Sequence, residues 1–169
     1  MNIQRYYELQ ENLDIEVMKK AGNVQNLVHK KIVALNVEIA EFAQELGYVW
    51  KYWKVSNVTM DIKILEEGID VLHFVLSLGN LLNCRLNYQD DSYKYYHDKL
   101  ENINTLFHLT SEVRKSYVYK KDNNLRSHMQ ELINAIFGTL LNLGYSFSEI
   151  ENAYLKKNMI NHQRATSSY

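Results

Sequence analysis

The chain has 169 residues, of which 46% are hydrophobic and 23% charged, a composition that supports one folded domain over residues 1–169 and excludes a disordered chain. Its formal net charge of -1, with no long run of Lys or Arg, does not favour DNA or RNA as a partner. The single cysteine, Cys84, excludes an intramolecular disulfide and a zinc site built from cysteines. The absence of proline permits long unbroken helices, so the sequence favours an all-α fold.

The most apolar stretch of the chain, residues 69–82, is too short to cross a membrane. A span needs roughly 20 residues, and this stretch also contains His73 and Asn80. We therefore expect no membrane segment. The chain does not start with a basic region followed by an apolar one, which favours a cytoplasmic protein.

Three helices are expected in the first half of the chain. The first covers about residues 3–20 and ends at Gly22, a residue suited to a left-handed helix stop. The second covers about residues 24–46, because its apolar residues are spaced by three and four. The third covers about residues 60–83 and is apolar on nearly all sides, so it is expected to form the centre of the protein.

The second half predicts two packing helices, over about residues 92–118 and 124–143, and one last helix that ends near Lys157. Ser146 with Glu149, or alternatively Ser148 with Glu151, has the spacing of a capping box that would start this last helix. Residues 165–169 form a polar tail that we expect to be mobile. The expected architecture is a bundle of about five or six helices.

Two pairs of acidic residues lie where carboxylates are costly. Glu38 and Glu41 are three residues apart in the second helix, and Glu67 and Asp70 are three apart in the third. Like charges at this spacing repel each other on a helix surface. Asp70 also lies within the most apolar segment of the chain, where an unpaired carboxylate needs a cation, a hydrogen-bond network or a proton.

Each pair taken alone is compatible with an ordinary solvated helix face. Two such pairs on neighbouring antiparallel helices can instead converge and present only oxygen atoms, the ligands that magnesium prefers. Zinc is disfavoured because His73 has no His or Cys partner at ligand spacing. The pattern therefore predicts a magnesium site, and with it chemistry on phosphate groups.

The order of these motifs resembles a known enzyme family. The pattern Glu38-x-x-Glu41 followed by Glu67-x-x-Asp70 resembles the metal signature of the all-α nucleoside triphosphate pyrophosphohydrolases. Further blocks are similar to the dimeric dUTPases within that group, and the resemblance extends over residues 8–164. These blocks are Glu8-Leu9-Gln10 with Asp14, Lys51-Tyr52-Trp53, the segment from Glu66 to Phe74, and the segment from Tyr154 to Arg164.

The resemblance implies a magnesium-dependent dUTP diphosphatase that hydrolyses dUTP to dUMP and pyrophosphate by an activated water and acts as a homodimer. The apolar run over residues 69–82 is a further reason to expect an interface between apolar helix faces. By resemblance, two or more magnesium ions would be bound by four acidic residues: Glu38, Glu41, Glu67 and Asp70. Glu41 would activate the water. The nucleoside would contact Gln10, Trp53 and Asn158, and the phosphates Lys157 and Arg164, with Tyr154 in a supporting role.

Two other functions stay open at this stage. A related pyrophosphohydrolase for another nucleotide, such as dCTP, would share the metal site and differ only in a few contacts to the base. A helical regulatory protein that binds another protein could keep the same fold with or without activity. The Tyr154 to Arg164 segment, for its part, could be an ordinary amphipathic helix end.

Overall fold

The computed structural model describes residues 3–54, 62–89 and 98–167. Within these ranges the chain is helical and contains no strand, which confirms the prediction of an all-α fold. The helices are α1 (Ile3–Ala21), α2 (Leu27–Glu45), α3 (Gly47–Trp50), α4 (Ile62–Leu81), α5 (Lys99–Val118), α6 (Asp122–Asn142) and α7 (Phe147–Thr166). The predicted starts of the third and fourth long helices, at residues 60 and 92, lie outside the described ranges.

The first two helices end as the sequence predicts, with one difference at the start of α2. Gly22 has a positive φ of 72° and its N–H donates to the carbonyl of Met18 at 3.0 Å, closing α1. Helix α2 begins at Leu27 rather than near residue 24, because Asn26 has a left-handed backbone with φ 56°. The single turn α3 was not predicted. It is tied to α2 by the indole N–H of Trp50, which donates to the carbonyl of Ala43 at 2.6 Å.

Helix α4 is the centre of the bundle and packs against α1, α2, α6 and α7. Every side chain from residue 69 to residue 78 is buried or half-buried, in agreement with its apolar sequence. Gly68 allows this close packing, since a Cβ there would lie 2.6 Å from Leu140 Cδ2 and 3.2 Å from Phe42 Cε2. The apolar run is used inside the chain, so it gives no support of its own to an interface between subunits.

The last three helices bring the C-terminal segment onto the core. Helix α5 begins at Lys99, because the Asp98 side chain caps it by accepting from the backbone N–H of Leu100 at 2.8 Å. Helix α7 begins with the capping box of Ser146 and Glu149, the first of the two predicted pairs. It continues to Thr166, nine residues past the predicted end at Lys157. It packs on α1 and α4.

This longer helix corrects the view of residues 165–169 as a tail, since residues 165 and 166 are helical and residues 168 and 169 lie outside the described ranges. None of the described helices is long and apolar enough to cross a membrane.

Candidate active site

Three carboxylates from two helices converge at one place. Glu38 on α2 and Glu67 and Asp70 on α4 each offer an oxygen atom, and these atoms lie within 4.8 Å of one another. The residues come together because α2 packs along α4 where Gly68 removes the side chain that would hold the helices apart. Three predicted metal ligands are therefore neighbours in space, on two helices, as the acid pairs suggested.

The electrostatics of this acid cluster (Glu38, Glu67 and Asp70) show excess negative charge. Burial, followed by the charges of Asp70, Glu41 and Glu67, raises the pKa of Glu38 from 4.5 to about 7. Burial is also the largest cause that raises the pKa values of Glu67 and Asp70. Carboxylates with raised pKa values at such short spacing suit a divalent cation, which would offset both the repulsion and the loss of water.

Lys157 supplies the positive charge that the sequence did not place beside Asp70. Its ammonium donates to a carboxylate oxygen of Asp70, in an ion pair whose side chains are both more than four-fifths buried. Lys157 therefore lowers the pKa of Asp70 against the effect of burial, and the charge of Arg164 acts in the same direction. One lysine still leaves three carboxylates with a net negative charge.

Glu41 is separate from the acid cluster. Its side chain is exposed and is not part of the group whose oxygen atoms converge within 4.8 Å. It lies one helical turn from Glu38, and its charge raises the pKa of that residue. The structure thus brings three of the four predicted ligands together and leaves the fourth at the exposed edge.

A cavity of about 660 Å³ adjoins the acid cluster, and its lining comes from α1, α2, α4 and α7. Glu38 and Asp70 line it, together with two of the predicted substrate contacts, Gln10 and Arg164. A space of this size and concave shape is typical of small-molecule sites, which usually have volumes of about 300 to 1,000 Å³.

The remaining predicted contacts are at different depths. Tyr154 is fully buried and stacks on Tyr6 and His73, with ring centroids 4.7 and 4.3 Å apart. Asn158 lies one turn further along α7 and is also buried. Trp53, in contrast, is 63% exposed beyond α3, where its ring lies edge-on to those of Trp50 and Tyr52, and it is not among the residues that line the cavity. The described residues therefore do not bring Trp53 to the cavity.

Comparison with known proteins identifies a family. A family model described as dUTPase matches residues 2–169. The chain belongs to the dUTPase family. No curated protein and no solved structure gave a significant match.

In this dUTPase-family protein, sequence reasoning missed a polar network in the cavity wall. Asp14 accepts hydrogen bonds from Gln10 Nε2 at 3.0 Å and from Ser77 Oγ at 2.5 Å, and its carboxylate lies 3.1 Å from the ammonium of Lys31. His73, on the same face of α4 as Ser77, contacts Gln10. The sequence feature that could have predicted this network is the helical spacing of three polar residues, at positions 70, 73 and 77, on an otherwise apolar helix.

The raised pKa of Glu38 predicts a pH-dependent stability difference between Glu38→Gln and the unaltered protein in EDTA. The folded state binds the proton of Glu38 more tightly than the unfolded state does. Below about pH 4.5 the carboxyl is protonated in both states and does not lower the free energy of unfolding. As the pH rises from there to about 7, the unfolded state ionises more readily, and the fold is destabilised. The stability advantage of Glu38→Gln should therefore be absent near pH 4.5, grow up to about pH 7 and stay constant above.

Thermal unfolding of both proteins across this range is the measurement. Burial lowers the pKa of His73 to about 3, so this residue makes both proteins more stable as the pH rises toward its ordinary pKa of 6.5. Taking the difference between the two proteins removes this shared contribution. An advantage that does not change with pH would contradict the electrostatic description of the acid cluster.

Proposed function

We propose that this member of the dUTPase family is a magnesium-dependent dUTP diphosphatase, which hydrolyses dUTP to dUMP and pyrophosphate. The observation that supports it most is the convergence of Glu38, Glu67 and Asp70 beside a cavity of about 660 Å³, in a chain that matches the family over residues 2–169. Such an activity would limit the incorporation of uracil into DNA and supply dUMP.

The proposed metal site consists of Glu38, Glu41, Glu67 and Asp70, with two or more magnesium ions by resemblance to the family. The donor set fits because it offers only carboxylate oxygen atoms and carries more negative charge than Lys157 offsets. Bound magnesium would neutralise charge on the phosphates and lower the pKa of a bound water. The exposed carboxylate of Glu41 is the proposed acceptor of the proton from the attacking water.

The substrate would lie in the cavity, with its phosphates toward the acid cluster. Arg164 lines the cavity and Lys157 donates to Asp70, so both cations are close to where phosphate oxygen atoms would meet the carboxylates. By resemblance, Gln10, Trp53 and Asn158 are proposed to contact the nucleoside. Tyr154 supports this wall by stacking on His73.

The identity of the products tests the proposed reaction. Phosphorus NMR of a dUTP reaction with magnesium should show dUMP and pyrophosphate in equal amounts, with no dUDP. Formation of dUDP and inorganic phosphate would instead indicate a phosphohydrolase that removes the terminal phosphate, and the pyrophosphohydrolase proposal would be wrong.

We also propose that the active form is a homodimer located in the cytoplasm. The dimer is implied by the resemblance, and an interface would have to use surfaces other than the buried run of α4. Val33 and Val37, one turn apart on α2, are 64% and 49% exposed and offer one apolar face. Light scattering at micromolar concentration should give twice the chain mass of 20.0 kDa. A fully active monomer would contradict the dimer.

A further inference from the structure

The two ring nitrogens of His73 have different surroundings. Nδ1 lies 2.6 Å from Oε1 of Gln10. Nε2 is buried and has no hydrogen-bond partner in the described part of the chain. His73 as a residue is only 4% exposed, and it lines the cavity. A buried polar atom without a partner is unusual in a folded protein, and a ligand in the cavity can supply the missing group.

The neighbours of His73 determine which nitrogen carries the proton. The Asp14 carboxylate can only accept hydrogen bonds, and it is paired with Lys31, so the amide of Gln10 must direct its Nε2 donor toward Asp14. Oε1 of Gln10 then faces His73. Because an amide oxygen can only accept, Nδ1 of His73 must carry the proton that it donates.

The ring is also neutral, so Nε2 is unprotonated. Burial, with the positive charges of Lys157 and His162, lowers the pKa of His73 to about 3. A neutral imidazole with its proton on Nδ1 has a lone pair on Nε2. His73 therefore presents a hydrogen-bond acceptor that nothing in the described protein uses.

Helix α7 contains an unused donor. Asn158 Nδ2 is buried and has no acceptor among the described residues. Asn158 is one helical turn beyond Tyr154, whose ring stacks on that of His73 at 4.3 Å and holds it in place. A free acceptor and a free donor thus lie on α4 and on the facing side of α7.

Uracil and cytosine differ in the groups that such a pair distinguishes. At position 3 of the ring, uracil has an N–H donor and cytosine an unprotonated nitrogen. At position 4, uracil has a carbonyl acceptor and cytosine an amino donor. A fixed acceptor at the base edge therefore forms a hydrogen bond with uracil and meets a second acceptor in cytosine.

We propose that Nε2 of His73 accepts the hydrogen bond from N3–H of uracil, and that Gln10 and Asp14 are positioning residues that fix the ring tautomer. The inference rests on the proposed function and names the residue that selects its base. It also changes the role given to Gln10, since both polar atoms of its amide are bonded inside the wall and Gln10 acts on the base through His73.

Nitrogen NMR of the full-length protein with labelled histidine tests the proposal directly. In the free protein we expect a protonated Nδ1 and an unprotonated Nε2 for His73. Saturation with dUMP should shift the Nε2 resonance in the direction of an accepted hydrogen bond, and dCMP at the same concentration should not. A protonated Nε2 in the free protein, or an Nε2 resonance that saturating dUMP leaves unchanged, would overturn the inference.

Two variants give an independent kinetic test. Gln10→Leu removes the oxygen atom that keeps the proton of His73 on Nδ1. His73→Phe keeps an aromatic ring against Tyr154 but removes the acceptor. In both, the ratio of kcat/KM for dUTP to that for dCTP should fall by about tenfold or more. His128→Asn is the matched control, because His128 is a half-buried histidine bonded to Ser116 outside the cavity, and its ratio should not change.

The outcomes separate this inference from the proposed function. A starting protein without preference for dUTP would contradict the proposed function. A starting protein that prefers dUTP, with the preference retained in Gln10→Leu, would contradict the role of His73 alone. Circular dichroism checks that each variant is folded, and the NMR result on the unaltered protein stands if His73→Phe does not fold.

Discussion

Replacing Glu38 with Gln is expected to lower kcat for dUTP by about 10²- to 10³-fold or more, while the metal-free protein becomes slightly more stable. The amide keeps the size of the side chain and removes one of three converging charges. The loss of activity follows because a neutral oxygen binds magnesium much more weakly than a carboxylate. The gain in stability follows because burial and the charges of Asp70, Glu41 and Glu67 disfavour the ionised form.

Turnover and thermal unfolding in EDTA, measured on the same preparation, test both halves of this prediction. Glu66→Gln is the matched control: Glu66 is half-buried on α4, pairs with Lys156 at 3.9 Å and lies outside the acid cluster, so its loss should change neither quantity appreciably. Asp70→Asn should also stop turnover but should stabilise the fold less than Glu38→Gln does, because the ion pair with Lys157 offsets part of the cost of burying the Asp70 charge. Full activity in Glu38→Gln would rule out the proposed metal site.

Replacing Lys157 with Met should lower both activity and the stability of the metal-free protein. Asp70 would lose its counter-ion while burial still opposes its charge, which we expect to cost about 1–3 kcal/mol in the free energy of unfolding. Saturating magnesium should restore most of this stability, since the cation would take the place of the lysine charge. The value of kcat/KM should still fall by about 10²-fold, because a cation next to the phosphates is lost.

Unfolding midpoints with and without magnesium, together with steady-state kinetics, measure these effects. Lys156→Met is the neighbouring control, because Lys156 is exposed and its carboxylate partner is 3.9 Å away. If Lys157→Met unfolds like the unaltered protein in EDTA, the ion pair with Asp70 does not stabilise the fold. If its kcat/KM is also unchanged, Lys157 has no part in the reaction.

The helices that form the site were predictable because their signals are local. Apolar residues at spacings of three and four identified α2, and the near-continuous apolar sequence identified α4 as the central helix. The acid pairs were visible because repulsive charges at helical spacing, one of them in an apolar segment, require a compensating partner. Local pattern was therefore sufficient for the fold class and for the three converging carboxylates.

The partner of Asp70 and the end of α7 depended on packing that no local pattern describes. Lys157 is 87 residues from Asp70 in the chain, and only the docking of α7 on α4 brings them into contact. The polar residues after Lys157 resemble a helix end, yet the helix continues because it packs on α1. There, His162 Nδ1 lies 2.6 Å from a Glu16 carboxylate oxygen.

The hydrogen bonds of Asp14 also depend on packing between helices, which the local sequence does not describe. The spacing of Gln10 and Asp14 indicates that they are neighbours on one helix face. It does not indicate that Ser77 and Lys31, from two other helices, complete the hydrogen bonds of the carboxylate. The tautomer of His73 follows from those contacts, so it could be assigned only from the structure.

The most direct test of the account is pyrophosphate release from dUTP, dCTP, dTTP, dATP and dGTP, each with magnesium and with EDTA, and with Glu38→Gln as the blank. We predict rapid release from dUTP with magnesium, much slower release from the other four, and none above the blank in EDTA. Equal release from dCTP and dUTP, or release from dUTP that EDTA does not reduce, would contradict the proposal of a magnesium-dependent dUTP diphosphatase.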